Sequence, residues 1–496
     1  MPSRPPLIVH LLAHPKSADA QKIAEALRAR LVEPPASGGL RVPVFFTPDR
    51  GNGLPPVLGE TDGLNLDAAE HSLVVVLANE IMLRTVFNGT GKEWREFLER
   101  LIVQAPLDAS PHHVLPVALD EVGSGIGGKV HVLPAAVGQK QNEFPSADQR
   151  LANLSFHIAA RAIQLLEYGK VPADSPAHLK APVRLFLSHA KAELQQDDLD
   201  PVSVTHRVSS DRRFSIDRWF DSNDIAPGQD FAAAIMAGVA DCSIMLAFLT
   251  DHYSARPWCR REVLGAKRSG AHILVVDALK NGEQRSFPYG ANLPVLRWDL
   301  AANSDEQARR VIDSAVLEAL RYKHNRALLK QLAESGDQVL AAPPEALTLA
   351  GLPPGSGVFL YPDPPLGREE LEILETLKPE VQFTTPLTRL AARHQPQAGT
   401  FLAVGISASG DAQRYGLSDS QIASLSDEVH LYLLLAGLKI VYGGALSGNF
   451  RQGSNFTLRL FELVRAYSGL AAGVSAPPIK GAVINVAPWP LRLNYG

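Results

Sequence analysis

Cysteine is nearly missing from this 496-residue chain, with Cys242 and Cys259 the only two. A disulfide framework is therefore excluded, and the fold must rest on packed apolar cores. No run of eighteen apolar residues occurs, which excludes an ordinary membrane-spanning helix. Charge of one sign is also lacking: 48 Lys+Arg against 52 Asp+Glu leave a net charge of −4, so nothing general drives the chain toward nucleic acid or an anionic membrane. The 15 histidines show no His/Cys ligand spacing, and no metal site is expected. The start, Met1-Pro-Ser-Arg-Pro-Pro, lacks the apolar stretch of a secretory signal, so a cytoplasmic protein is expected. What is present, 46% hydrophobic and 20% charged residues, is ordinary globular composition. The length suggests about three domains.

Strand and helix patterns alternate along the whole chain, which argues parallel sheets with crossover helices. We expect an α/β protein of three consecutive flavodoxin/Rossmann-like parallel-sheet domains, over residues 1–170, 182–325 and 340–496. In the first, strands are predicted at Leu7–Leu12, Arg41–Phe46, Ser72–Ala78 and His113–Leu119, with helices at Ala18–Val32, Lys92–Gln104 and Leu154–Tyr168. A linker with three prolines, Gly169–Pro182, marks the boundary to the second.

The most informative stretch lies in the second domain. The apolar run Ser243-Ile-Met-Leu-Ala-Phe-Leu249 reads as a buried strand. A polar loop follows, and Pro257 stands where its fixed φ and missing N–H suit the first helical position. Trp258 and Glu262, four apart, then share a helical face near a strand's C-terminal edge, where open α/β sheets bind ligands. Strand–Thr250-x-x-Tyr253-x-x-Arg256-x-Trp258-Cys259-x-x-Glu262 resembles the signature of Toll/interleukin receptor (TIR) domains, with Arg256 in place of a serine. Val183-Arg-Leu-Phe-Leu-Ser188-His189 resembles the first TIR strand and its exit, and Trp219 to Phe231 the second strand and its loop. The first domain is a loose copy, TIR-like or flavodoxin-like: its Trp94 and Glu96 are two apart, so they do not share a face, and Glu96 reads as a solvated helix carboxylate.

At the C-terminal end two strand–glycine turn–helix units follow one another. Phe401–Val404 runs into Gly405-Ile-Ser407-Ala-Ser409-Gly410, and Lys439–Tyr442 into Gly443-Gly444-Ala-Leu-Ser447-Gly448-Asn-Phe-Arg451. Such turns let backbone N–H groups and a helix N-terminus meet a phosphate. The pair resembles the SLOG family of Rossmann-like nucleotide-sensing domains. The Pro-Gly-Gly-x-Gly-Thr signature of its enzymatic branch is missing, which favours a sensor. The domain is expected either to be incomplete or to borrow strands from residues 340–396. A hydrolase serine is rejected, because Gly405-x-Ser407-x-Ser409 is not Gly-x-Ser-x-Gly.

The two resemblances together imply a TIR NADase of the bacterial antiphage type, with NAD as substrate rather than cofactor, a nucleotide activator and self-association through TIR domains. Glu262 is the position implied as catalytic. Ser188, His189, Lys191, Asp221, Asp224, Phe231 and Trp258 are implied in substrate binding, and Trp258 reads equally well as core. Gly405, Ser407, Ser409, Gly410, Gly443, Gly444 and Arg451 are implied in binding the signal nucleotide. Hydrolysis to ADP-ribose, cyclisation to a messenger and a non-catalytic TIR scaffold all remain open at this point. Cys259 reads as a small buried hydrophobe.

Overall fold

The computed structural model describes residues 4–32, 41–47, 53–59, 63–87, 92–105, 111–123, 146–168, 183–190, 200–210, 216–219, 237–238, 242–282, 287, 289–290, 292–352, 355, 357–393, 401–404, 419–442, 460–461, 463–464, 467 and 483–486. The fold is α/β, and every strand pair in its four sheets is parallel. Two compact units divide the chain, Met1–Leu328 and Leu329–Gly496.

The first unit holds two sheets. Strands β1 (Leu7–Ala13), β2 (Val44–Phe46), β3 (His71–Ala78) and β4 (His112–Ala118) are ordered β2-β1-β3-β4. Helices α1 (Ala18–Val32), α2 (Glu80–Phe87), α3 (Lys92–Gln104) and α4 (Ala147–Tyr168) accompany them. All eight positions of β3 are buried, as its unbroken apolar sequence requires of a strand covered on both faces. Leu73, Val75 and Leu77 face the core shared with α1 and α4, while Val74 and Val76 face α3.

The second sheet is built from β5 (Val183–Ser188), β6 (Ile216–Trp219), β7 (Ile244–Leu249), β8 (Ile273–Asp277) and β9 (Val295–Arg297), in the order β6-β5-β7-β8-β9. Its helices are α5 (Pro201–Ser209), α6 (Pro257–Ser269) and α7 (Ser304–Leu332). The first sheet repeats this order with its last strand missing among the described residues. Both sheets therefore have a switch point between their first and third strands.

The two halves of this unit are not separate cores. One continuous apolar cluster joins Phe156, Ile158, Ala159 and Ile163 of α4 to Val311, Ile312, Ala315 and Val316 of α7. Polar contacts seal it. Arg30 reaches Asp313 through Nε at 2.9 Å and Nη2 at 2.6 Å, and Ser155 Oγ donates to the other oxygen of Asp313 at 2.8 Å. Lys323 pairs with Glu167, and Gln149 with Glu306. The predicted linker 169–182 lies outside the described residues.

In the second unit, β10 (Gln338–Val339), β11 (Gly357–Leu360) and β12 (Val381–Thr384) form one sheet with α8 (Ala346–Gly351), α9 (Arg368–Leu377) and α10 (Pro386–Arg393). β13 (Phe401–Val404), β14 (Lys439–Tyr442) and β15 (Val483–Asn485) form another, with α11 (Asp419–Leu435). Of the two alternatives for the last domain, borrowed strands are not seen: β10 to β12 pair only with one another among the described residues. The two sheets meet through helices instead, with Ala391 of α10 packed against Leu431 and Leu435 of α11. No helix among the described residues is long and apolar enough to cross a membrane.

Candidate active site

The site forms beyond the C-terminal ends of β5 and β7, the switch point of the second sheet. Ser188 closes β5 and pairs with Ala247 of β7, so its side chain leaves the sheet at that edge. After β7 the backbone turns tightly, with Tyr253 N–H donating to Thr250 O at 2.9 Å and Arg256 N–H to Tyr253 O at 3.1 Å. Helix α6 then starts at Pro257, as the sequence predicts. Arg256 is its N-cap in an extended conformation and makes no side-chain cap. The resembled serine in that place would supply one. The helix ends on Gly270, whose left-handed φ of 68° suits glycine.

Cys259, Val263 and Ala266 are buried against the sheet, together with Met245, Ala247 and Phe186. That packing fixes the rotation of α6 and turns Glu262 toward the end of β5. Ser188 Oγ donates to Glu262 Oε2 at 2.5 Å, and lies 2.6 Å from the Tyr253 hydroxyl. Ser188 has one proton, and a carboxylate can only accept it, so Tyr253 is the donor to Ser188. The result is a directed chain, Tyr253 to Ser188 to Glu262. Tyr253 is fully buried, and its ring meets Phe287 edge-on at 5.4 Å. Burial, then the neighbouring Cys259 and Glu262, push its phenol well above the ordinary value, which keeps the donor protonated.

Trp258 is 41% exposed, which removes the core-packing reading. The Arg261 guanidinium lies 4.7 Å from its ring centroid. His189 is half-buried; its carbonyl accepts from Cys259 Sγ at 3.4 Å, a second clasp between α6 and the exit of β5. Asp251 ties the loop after β7 to the loop after β8, accepting from the amides of Lys280 and Asn281 and from Asn281 Nδ2. Burial, the largest single influence, pushes its carboxyl up, but the hydrogen bonds together outweigh it and hold the carboxyl below the usual range.

Of the sequence-predicted residues, the structure thus brings Ser188, His189 and Glu262 together, with Trp258 one turn before Glu262. Lys191, Asp221, Asp224 and Phe231 lie outside the described residues, as do Gly405, Ser407, Ser409, Gly410, Gly443, Gly444 and Arg451. Tyr253 was not predicted as a site residue. Its place in the motif was the available signal. Among the described residues no group of three His, Cys, Asp or Glu could hold a metal.

A five-stranded parallel sheet in this order, with a hydrogen-bonded carboxylate at its switch point, defines a doubly wound, flavodoxin-like α/β domain. The TIR domain family matches residues 186–312, and SLOG cluster2 matches residues 397–496. The chain is therefore a TIR-domain protein with a C-terminal SLOG domain. The SLOG match begins after β12, so the sheet of β10 to β12 precedes that domain. No match to the chain was found among curated proteins.

Proposed function

We propose that the TIR domain cleaves the nicotinamide–ribose bond of NAD, releasing nicotinamide and ADP-ribose, and that a nucleotide bound at the SLOG domain gates it in antiphage defence. The observation that carries this reading is the contact of Glu262 with Ser188 at the switch point. Most glycosidases need a general acid as well as a second carboxylate. The nicotinamide of NAD is already cationic and leaves neutral, so no acid is required. One fixed carboxylate can stabilise the oxocarbenium-like sugar as it forms. The Tyr253–Ser188 chain holds that carboxylate in one orientation, which lowers the reorganisation needed at the moment of reaction. Trp258, exposed one helical turn away, offers an indole face at the rim of the same edge.

TIR domains commonly self-associate, and a constitutive NADase would be toxic to its host. A gate through assembly, set by the SLOG ligand, answers both points. Binding raises activity only if the ligand favours the active arrangement over the resting one.

The test is to incubate the purified protein with NAD, with and without a panel of cyclic nucleotides, and to identify products by chromatography. Glu262→Gln should abolish nicotinamide release in a folded protein, and wild-type rates in that variant would remove the reading. Glu96→Ala is the control. Glu96 is exposed and pairs only with Lys92 one turn away at 3.4 Å among the described residues, so turnover should stay within a few-fold.

A further inference from the structure

The first sheet repeats the site's geometry with different chemistry. In the TIR sheet the exit of the first strand meets a helix through Ser188 and Glu262. In the first sheet the exit of β1, His14-Pro15-Lys16-Ser17, meets α3 through His14 and Trp94, whose ring centroids lie 5.0 Å apart. An imidazole and an indole stand where the TIR site has a carboxylate. We infer that this second switch point is an anion site, which binds the phosphate of a small phosphorylated ligand and cleaves nothing.

The groups gathered there are donors. His14 is 1% exposed. The Lys16 N–H donates to its Nδ1 at 3.2 Å, so the ring proton sits on Nε2, and Nε2 has no hydrogen-bond partner among the described residues. A buried donor left in this state is costly, and a ligand oxygen would relieve it. Burial, and then the charge of Lys16, lower the pKa of His14, which leaves the ring a neutral donor. Ser17 is buried, and its Oγ already accepts from Ala20 N–H at 3.2 Å and Asn79 Nδ2 at 2.7 Å. Both lone pairs are thereby engaged, and its O–H has no acceptor among the described residues. Ser17 also opens α1, a fifteen-residue helix; the Ala20 and Gln21 amides bond back to Ser17, which leaves those of Ala18 and Asp19 at the helix N-terminus. Lys16 is exposed and forms no ion pair among the described residues.

The carboxylates nearby are occupied or turned outward. Asp120, after β4, accepts from Glu80 N–H at 2.9 Å and Gly123 N–H at 2.6 Å. Glu80 pairs with Arg84. Asp19 lies in the first turn of α1 and is exposed. An ammonium, an imidazole N–H, a hydroxyl and helix amides together suit a tetrahedral oxyanion with several terminal oxygens. The indole N–H of Trp94 is not part of this set, since it donates to Gly53 O at 2.8 Å and serves to hold the His14 ring.

The full-length protein should be tested by titration calorimetry with inorganic phosphate, with ADP-ribose, and with acetate as a carboxylate probe. Glu262→Gln in every sample prevents turnover, and Gly410→Asp removes the glycine-turn site of the SLOG domain. Phosphate and ADP-ribose are expected to bind, and acetate to bind more weakly. Lys16→Glu should weaken phosphate at least tenfold with unchanged circular dichroism, and Asp19→Asn should tighten it. A second readout is the His14 imidazole signal in selectively labelled protein, which should shift on adding phosphate. Phosphate binding that survives Lys16→Glu, a His14 signal that does not move, or no binding at millimolar phosphate would each overturn the assignment.

Discussion

Arg30 and Asp313 are 283 positions apart and share one oxygen through two guanidinium nitrogens, at 2.9 and 2.6 Å. The Asp313 side chain is 5% exposed and that of Arg30 23%. Burial pushes the Asp313 carboxyl up, and Arg30 pulls it back. The pair joins α1 to α7, so the TIR domain and the segment before it are held as one body.

Removing one partner of such a pair should leave a buried group unmatched. Arg30→Ala is expected to destabilise the first unit by about 3 kcal/mol, read as a lower urea midpoint. Arg30→Met combined with Asp313→Leu should recover most of that loss. Probes placed in residues 4–168 and in the TIR domain should report the same midpoint, since they share a core. Two separated transitions would contradict the shared core.

Tyr253 touches the proposed chemistry only through Ser188, as a positioning residue. Tyr253→Phe keeps the ring packed on Phe287 and deletes one hydrogen bond, worth about 1–1.5 kcal/mol. Turnover of NAD should fall about tenfold, in kcat rather than KM. A change confined to KM would place Tyr253 in substrate binding instead.

Arg256 caps α6 without a side-chain hydrogen bond. Arg256→Ser restores a hydroxyl at that position and should stabilise the protein by about 1 kcal/mol. Thermal unfolding would show a small rise in midpoint, and an unchanged or lower midpoint would mean that the cap does not form.

Acid should destabilise the first unit. Burial, and then the charge of His112, push His10 down to about 4. Burial, opposed weakly by the neighbouring Asn325 side chain, does the same to His324. Above pH 6.5 both rings are neutral in both states and contribute nothing. As pH falls from 6.5 to 4, the unfolded chain takes up protons that the folded one resists. Each ring should then cost up to about 3 kcal/mol. Urea midpoints measured across that window should fall, and His10→Asn should make the fall shallower by about one proton.

Much of this architecture was legible because its signals are local. Pro257 at the head of α6 and the helix Lys92–Gln104 follow from spacing and end residues, the strand Val183–Ser188 from its resemblance to the first TIR strand, and the structure has them at those positions. Short elements were missed: β9 has only three residues, and the eight residues of α2 follow β3 after a single residue, so their pattern merges with the strand's apolar run. Glu262, Ser188 and Trp258 could be read from the TIR-like motif. The Tyr253 hydrogen bond could not, because a tyrosine in a polar loop gives no sign of where its hydroxyl points. The core shared by α4 and α7 was equally hidden, since an apolar helical face does not name its partner 150 residues away.

Cys259 is 2% exposed and bonded to the carbonyl of His189, and the only other thiol, Cys242, is half-buried. The protein therefore carries its own clock for motion at the site. A thiol reagent can reach Cys259 only when α6 lifts from the exit of β5, so its labelling rate counts those openings. Comparing that rate with and without NAD in the Glu262→Gln protein would time closure over substrate with no introduced probe.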